Sequence, residues 1–216
     1  MKSKFLLIFM LMFLLCSGSV LAESNLLSMG GDWYIGLNIN TYSLEEMNDF
    51  LKTEVEADAV TAGEGLVFGV RKNYMPNIDL GLEFERMTVD WGINTQHTAE
   101  SVNKGILGKI YYDLPFRNEN NTKFSGFVGI GLYNSTFKYN NLNSSVGLQN
   151  DNSMRFGLKI GAEAKHEIFS DVYLLSSLGY RQSGGNIRIK DLNSKTNNIG
   201  LDYSGLELKF GLSIDF

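Results

Sequence analysis

The chain has 216 residues, with 24 acidic and 19 basic side chains and a formal net charge of −5 at pH 7. That balance argues against nucleic acid as a partner, and a single cysteine argues against a small disulfide scaffold. The length suffices for one domain with a real interior, and 23 glycines against 2 prolines suit long β-strands broken by polar loops.

The amino-terminus carries Lys2 and Lys4, then an apolar run from Phe5 to Leu15, then Val20-Leu21-Ala22. This is the pattern of a secretory signal peptide, expected at residues 1–22 and cleaved to leave a mature domain at 23–216. The apolar run falls well short of the roughly 20 residues that a spanning helix needs. Cys16 follows Leu15, where a lipoprotein signal needs a small residue, so the mature protein is expected to hold no cysteine. Losing Lys2 and Lys4 moves the formal charge from −5 to −7. No later segment approaches a spanning helix, so life in a membrane would require a closed barrel.

Alternation of apolar with small or polar residues predicts eight strands. The first is Asp32 to Tyr42, with Trp33, Ile35, Leu37 and Ile39 on one face. An acidic segment follows, Ser43 to Ala62, in which Leu44 to Leu51 suits a short helix. Strand two is Gly63 to Lys72 and strand three Ile78 to Trp91, with a short turn between them. The far end of strand three is irregular, because Arg86 interrupts its apolar row. Gly92 to Glu100 reads as a polar loop containing His97. Strand four is Val102 to Leu114, strand five Lys123 to Tyr139, strand six Met154 to Lys165 and strand seven Val172 to Ser183. Asn140 to Ser153 reads as a polar loop, His166 to Asp171 as a turn and Gly184 to Asn198 as a basic loop. The last strand, Ser204 to Phe216, alternates most strictly: Leu206, Leu208, Phe210, Leu212, Ile214 and Phe216 against Gly205, Glu207, Lys209, Gly211, Ser213 and Asp215. An even set of strands with alternately long and short connections predicts an all-β, eight-stranded antiparallel up-and-down barrel, since closure removes both edges.

Periodicity alone leaves the inner face open. In a secreted lipocalin-like carrier the apolar face would point inward, and Gly31-Asp32-Trp33 matches the opening of many lipocalins. In a transmembrane barrel the apolar face meets lipid and the polar face fills the lumen. Glycines concentrate on the polar face, where a narrow barrel needs small residues. That face also carries both signs of charge: Glu83, Glu85, Glu163 and Glu207 against Arg71, Lys109, Arg155, Lys159, Lys165, Arg181 and Lys209. Mixed charge suits an enclosed lumen, because unpaired buried charge is costly. Aromatic residues gather at the strand ends, with Trp33, Tyr74, Tyr112, Phe124, Tyr173 and Phe216 at one rim. Tyr42, Trp91, Phe137, Tyr139, Tyr180 and Tyr203 gather at the other, as interfacial girdles would. The transmembrane reading is preferred.

The signal peptide, the opening Trp33-Tyr34-Ile35-Gly36, the alternating strands and the terminal Phe216 together resemble the small eight-stranded outer-membrane β-barrel family. That group includes the OmpA-like, OmpX-like and surface-antigen, porin-like proteins. The resemblance implies a place in the outer membrane among lipid and lipopolysaccharide. It also implies insertion by the barrel-assembly machinery, with Phe210, Leu212, Ile214 and Phe216 as the assembly signal. The expected role is structural or one of surface interaction, adhesion included, over a lumen largely plugged by charged side chains. Loops 43–62 and 184–198 would offer the contact surface for a host or surface ligand. The alternative is a narrow channel or carrier for small or apolar compounds, as in OmpW-like relatives, with Val67, Leu107, Phe127 and Leu175 lining a pocket. Catalysis is not expected: the histidines are His97 and His166, and the His-x-Ser pattern of lipid A deacylases is broken by Ala99. No cofactor or metal is expected either, since Glu45, Glu46, Asp49, Glu54, Glu56 and Asp58 lack the spacing of a calcium loop.

Overall fold

The structure, a computed structural model, describes residues 30–94, 97–115, 121–141, 152–190 and 196–216. The expected signal peptide, with Cys16, lies outside them. The barrel strands are β1 (Gly31–Thr41), β2 (Ala62–Met75), β3 (Ile78–Asn94), β4 (His97–Asp113), β5 (Thr122–Asn141), β6 (Asn152–Phe169), β7 (Val172–Gln182) and β10 (Gly205–Asp215). They close antiparallel in the order β1-β10-β7-β6-β5-β4-β3-β2. Closure runs through the first and last strands, which pair from Asp32↔Asp215 to Asn40↔Glu207.

Two short turns reverse the chain where Asn77 and Asp171 adopt positive φ, 65° and 64°, a conformation that short polar side chains tolerate. These turns, the carboxy-terminus and the start of β1 lie at one end of the barrel. The longest connections, from β1 to β2 and from β7 to β10, lie at the other, while the connection from β4 to β5 shares the end of the short turns. In outer-membrane barrels the short turns face the periplasm, so the long connections face outward.

The apolar face points out of the barrel. Leu37 is 64% exposed and Phe156 is 76% exposed, whereas Glu83 and Lys209 are fully buried inside. A water-soluble carrier would need the reverse, so the lipocalin-like alternative does not hold. Glycine on the inner face leaves room for aromatic rings. A Cβ at Gly69 would lie 2.2 Å from Tyr34 Cζ, and one at Gly157 would lie 2.3 Å from Tyr133 Cε2.

The connections depart from the sequence expectations. The helix α1 runs Glu45–Val55, longer than Leu44 to Leu51, with Glu45 and Glu46 in its first turn and Lys52 in its last, as the helix dipole favours. The segment 184–198 is not a free loop: Gly184–Lys190 (β8) and Thr196–Asp202 (β9) pair as a separate antiparallel hairpin. Most of the stretch 92–100, expected as a loop, is strand instead: β3 continues to Asn94, with a register shift between Gly92 and Asn94, and β4 begins at His97. Nor does the chain turn at His166, since β6 continues to Phe169.

Strands β3 to β6 are 17, 17, 20 and 18 residues long, against the 9–11 or so that a tilted crossing needs. Their surplus stands beyond the bilayer. There the pattern inverts. Up to Phe84, β3 points apolar residues outward; from Met87 on, Met87, Val89 and Trp91 point inward and are buried, while Arg86 and Asp90 point out. Below the boundary the outside is lipid and the inside polar; above it, the outside is water and β3 turns its apolar residues inward, beside the buried Ser101, Asn103 and Ser135 of β4 and β5.

Candidate functional site

The lumen is filled by one chain of ion pairs. At the periplasmic end Lys165 Nζ lies 2.6 Å from both Asp32 and Asp215. Arg71 follows, 3.9 Å from Asp32 and paired with Glu163. Lys209 then bridges Glu163 at 3.2 Å and Glu83 at 3.3 Å. Glu83 also holds Lys109 at 2.7 Å and Lys159 at 2.9 Å, and accepts a hydrogen bond from Tyr34 at 2.9 Å. Lys159 continues to Glu85 at 2.9 Å and Glu207 at 2.7 Å, and Arg181 closes the series on Glu207 at 3.1 Å. Alternation on facing strands brings these residues to one axis, and burial makes each pairing obligatory, since a stranded charge would be expensive.

Aromatic rings fill the remaining space and receive the same cations. Arg71 lies 3.9 Å from the Tyr111 centroid, Lys109 4.2 Å from Phe127, Lys209 4.7 Å from Tyr34 and Lys165 4.2 Å from Tyr173. Such contacts attract cations to the ring face. Val67, Leu107, Phe127 and Leu175, the proposed pocket lining, are all buried; Val67 and Leu175 pack with Tyr34.

Of the eleven charged residues singled out in the sequence, ten take part in these pairs. Arg155 stands apart. Its Nη1 donates to the Leu201 carbonyl at 2.6 Å, tying β6 to the hairpin.

Above the charges sits an apolar cap. Tyr42, Leu44, Met47, Leu51, Met87, Val89, Trp91, Phe137, Ile187, Ile199, Leu201 and Tyr203 form one buried cluster, drawn from α1, the hairpin and the overhanging strands. Four of the six aromatic residues expected to girdle the outer rim, Tyr42, Trp91, Phe137 and Tyr203, are in this interior instead. Tyr180 is exposed, and the Tyr139 side chain lies outside the described residues. At the periplasmic rim Trp33, Tyr74, Tyr112, Phe124 and Phe216 are exposed as a girdle requires, while Tyr173 turns inward.

Polar contacts that the sequence did not single out fasten the cap. Asn48 Oδ1 accepts from the Val60 amide at 3.0 Å and from Trp91 Nε1 at 2.8 Å, while its Nδ2 donates to the Val60 carbonyl at 2.9 Å. Glu46 accepts from the Gly200 amide at 2.6 Å, joining α1 to β9. Ser101 and Tyr203 share a hydroxyl contact across the mouth. Burial pushes the Tyr203 phenol up to about 12 and raises that of Tyr42 as well.

His166 lies in β6, where its Nδ1 meets Thr122 Oγ1 at 2.8 Å near the periplasmic end. The His97 side chain lies outside the described residues. Among the described residues no three potential metal ligands are gathered together, and within the acidic segment Glu46 is engaged by the hairpin.

The family model described as "Outer membrane protein beta-barrel domain" matches residues 8–215. Among solved structures, OprG from Pseudomonas aeruginosa is 14% identical with a TM-score of 0.52, over 87% of this chain and 97% of its own. Neisserial surface protein A is 12% identical with a TM-score of 0.51, over 86% and 97%. A major outer membrane protein from Thermus thermophilus is 11% identical with a TM-score of 0.51, over 86% and 99%. At such identities the likeness is one of fold. No curated protein matches the sequence. The family match spans nearly the whole chain and the barrel faces its apolar side to lipid, and the chain belongs to the outer membrane protein beta-barrel domain family.

Proposed function

We propose that this protein is a sealed outer-membrane barrel that displays a folded cap at the cell surface, with a structural or surface-interaction role rather than a catalytic one. The observation that carries this reading is the double closure: a continuous chain of buried ion pairs beneath an apolar cap. An eight-stranded barrel has an interior just wide enough for side chains to fill, and here they fill it with paired charges. The surface presented outward is then α1 and the β8–β9 hairpin, held as a unit, rather than two mobile loops. A partner would meet a preformed relief of low ordering cost. Export by a cleaved signal peptide at residues 1–22, and recognition of Phe210, Leu212, Ile214 and Phe216 by the assembly machinery, complete the proposal. Phe216 supports the latter: its amide and carbonyl pair with Gly31, and its ring lies 5.9 Å from Trp33, so the last residue closes the barrel seam.

The placement is tested by single cysteines in the mature chain, which has none of its own on this reading. Asp49 lies exposed on α1 and Asp171 lies exposed in a short turn. In whole cells a membrane-impermeant maleimide should label Asp49→Cys and leave Asp171→Cys unlabelled until the outer membrane is permeabilised. Labelling of Asp171→Cys alone would invert the barrel and remove the cap from the surface.

A further inference from the structure

On six of the eight barrel strands the outward apolar row ends at a definite residue toward the outer side: Thr41 on β1, Glu64 on β2, Arg86 on β3, Lys104 on β4, Asn134 on β5 and Gln182 on β7. Two of these are cations, on neighbouring strands. Arg86 and Lys104 stand directly opposite each other in the β3–β4 register, and both are exposed. Like charges so placed repel and weaken a sheet. Inside the barrel every lysine is held by carboxylates. Among the described residues Arg86 and Lys104 have no ion pair at all, and Glu64, diagonal to Arg86, does not supply one.

Their depth is fixed by their neighbours. One step toward the periplasm lie Phe84 and Ile106, another directly opposed pair, 42% and 53% exposed on the lipid-facing surface. Beyond them the outward residues of β3 and β4 are no longer exposed apolar ones, which marks the edge of the bilayer. Four residues farther out the row is mixed, with Asp90 opposite Glu100 and Glu100 in turn opposite Lys138, so that there the charges can offset one another. That row is roughly 13 Å along the strand at 3.3 Å per residue. The unoffset pair of cations thus stands at the depth where the outward apolar row ends and hydrocarbon gives way to lipid headgroups. An anion shared between the guanidinium fork and the ammonium would convert the repulsion into attraction.

We propose that Arg86 and Lys104 clamp a phosphate group of outer-leaflet lipopolysaccharide. The outer leaflet is the source because the pair lies at the end of the barrel that carries the long connections. The clamp would fix one lipid against the β3–β4 face, beside the overhanging strands that support the cap.

The test uses the refolded mature barrel in zwitterionic detergent, titrated with fluorescently labelled lipopolysaccharide. Phosphatase-treated lipopolysaccharide and phosphatidylglycerol serve as comparison lipids, and the heat-dependent gel shift confirms folding of each variant. The wild-type barrel is expected to bind intact lipopolysaccharide in preference to both. R86Q/K104Q is expected to weaken that binding about thirty-fold, the combined effect of two interfacial cations. Should the double variant misfold, Lys104→Gln alone is expected to weaken it about fivefold. Equal binding of the phosphatase-treated lipid, or undiminished binding by the variants, would overturn the clamp. Equal binding of phosphatidylglycerol would overturn the assignment to lipopolysaccharide.

Discussion

Replacing Glu83 by glutamine removes the charge at the centre of the lumen and keeps the side-chain shape. Its Oε2 accepts from Lys109 at 2.7 Å, Tyr34 at 2.9 Å and Lys209 at 3.3 Å, and its Oε1 accepts from Lys159 at 2.9 Å. The three ammoniums do not suffer equally. Lys159 retains Glu85 and Glu207, and Lys209 retains Glu163. Lys109 has no second ion pair among the described residues. The substitution therefore breaks one buried pair outright and weakens two. Breaking a buried pair by deleting one partner costs about 3–5 kcal/mol, and we expect a loss of about 4 kcal/mol on that basis. Urea unfolding in phospholipid vesicles, followed by tryptophan fluorescence and the heat-dependent gel shift, measures it. The midpoint should fall with little change in slope. Glu83→Gln combined with Lys109→Met should recover more than half of the loss, because the stranded cation leaves with its partner. A loss below about 1 kcal/mol, the range of exposed ion pairs, would mean that water reaches Glu83 and that the lumen is not filled as described.

Trp91→Ala should loosen the cap, removing a ring packed edge-on to Phe137 and the hydrogen bond to Asn48. A cost of about 3–5 kcal/mol should appear as faster proteolysis within 45–55, with barrel melting little changed. Gly69→Ala should destabilise the barrel by about 1–3 kcal/mol, read by the same urea titration, because its Cβ would meet the Tyr34 ring. Deleting Phe216 should lower the yield of heat-modifiable barrel in cells; an unchanged yield would remove its proposed place in assembly. Alkali should release the cap. The folded Tyr203 phenol, at about 12, lies above the ordinary value of 10, so its contribution is complete below pH 10 and is lost as pH rises toward 12. Proteolysis within α1 should accelerate over that window.

The barrel was legible because its strands obey a two-residue period against two fixed media. The final strand shows this best: Leu206 to Phe216 face lipid while Glu207 and Lys209 enter the lumen. The cap was hidden because the same period continues on β3 while the media exchange places. Arg86 then reads as an interruption, and Trp91 and Phe137 read as girdle residues although they are core. The hairpin was missed because Ile187, Ile189, Ile199 and Leu201 are few and set among Asn, Gly and basic residues, a loop-like composition. Arg155 alternates as Lys159 does, and only the folded hairpin above it turns it toward Leu201. Asn48 carried no signal in the sequence, because its three hydrogen bonds depend on where α1 lands.

Planar-bilayer recording of the refolded mature barrel, with folding confirmed by the heat-dependent gel shift, tests the sealed lumen most directly. The account predicts a silent bilayer with no steady ionic steps. Steady steps whose ion selectivity changes with Glu83→Gln or Lys159→Gln would contradict it, and would make the interior charges the lining of a channel.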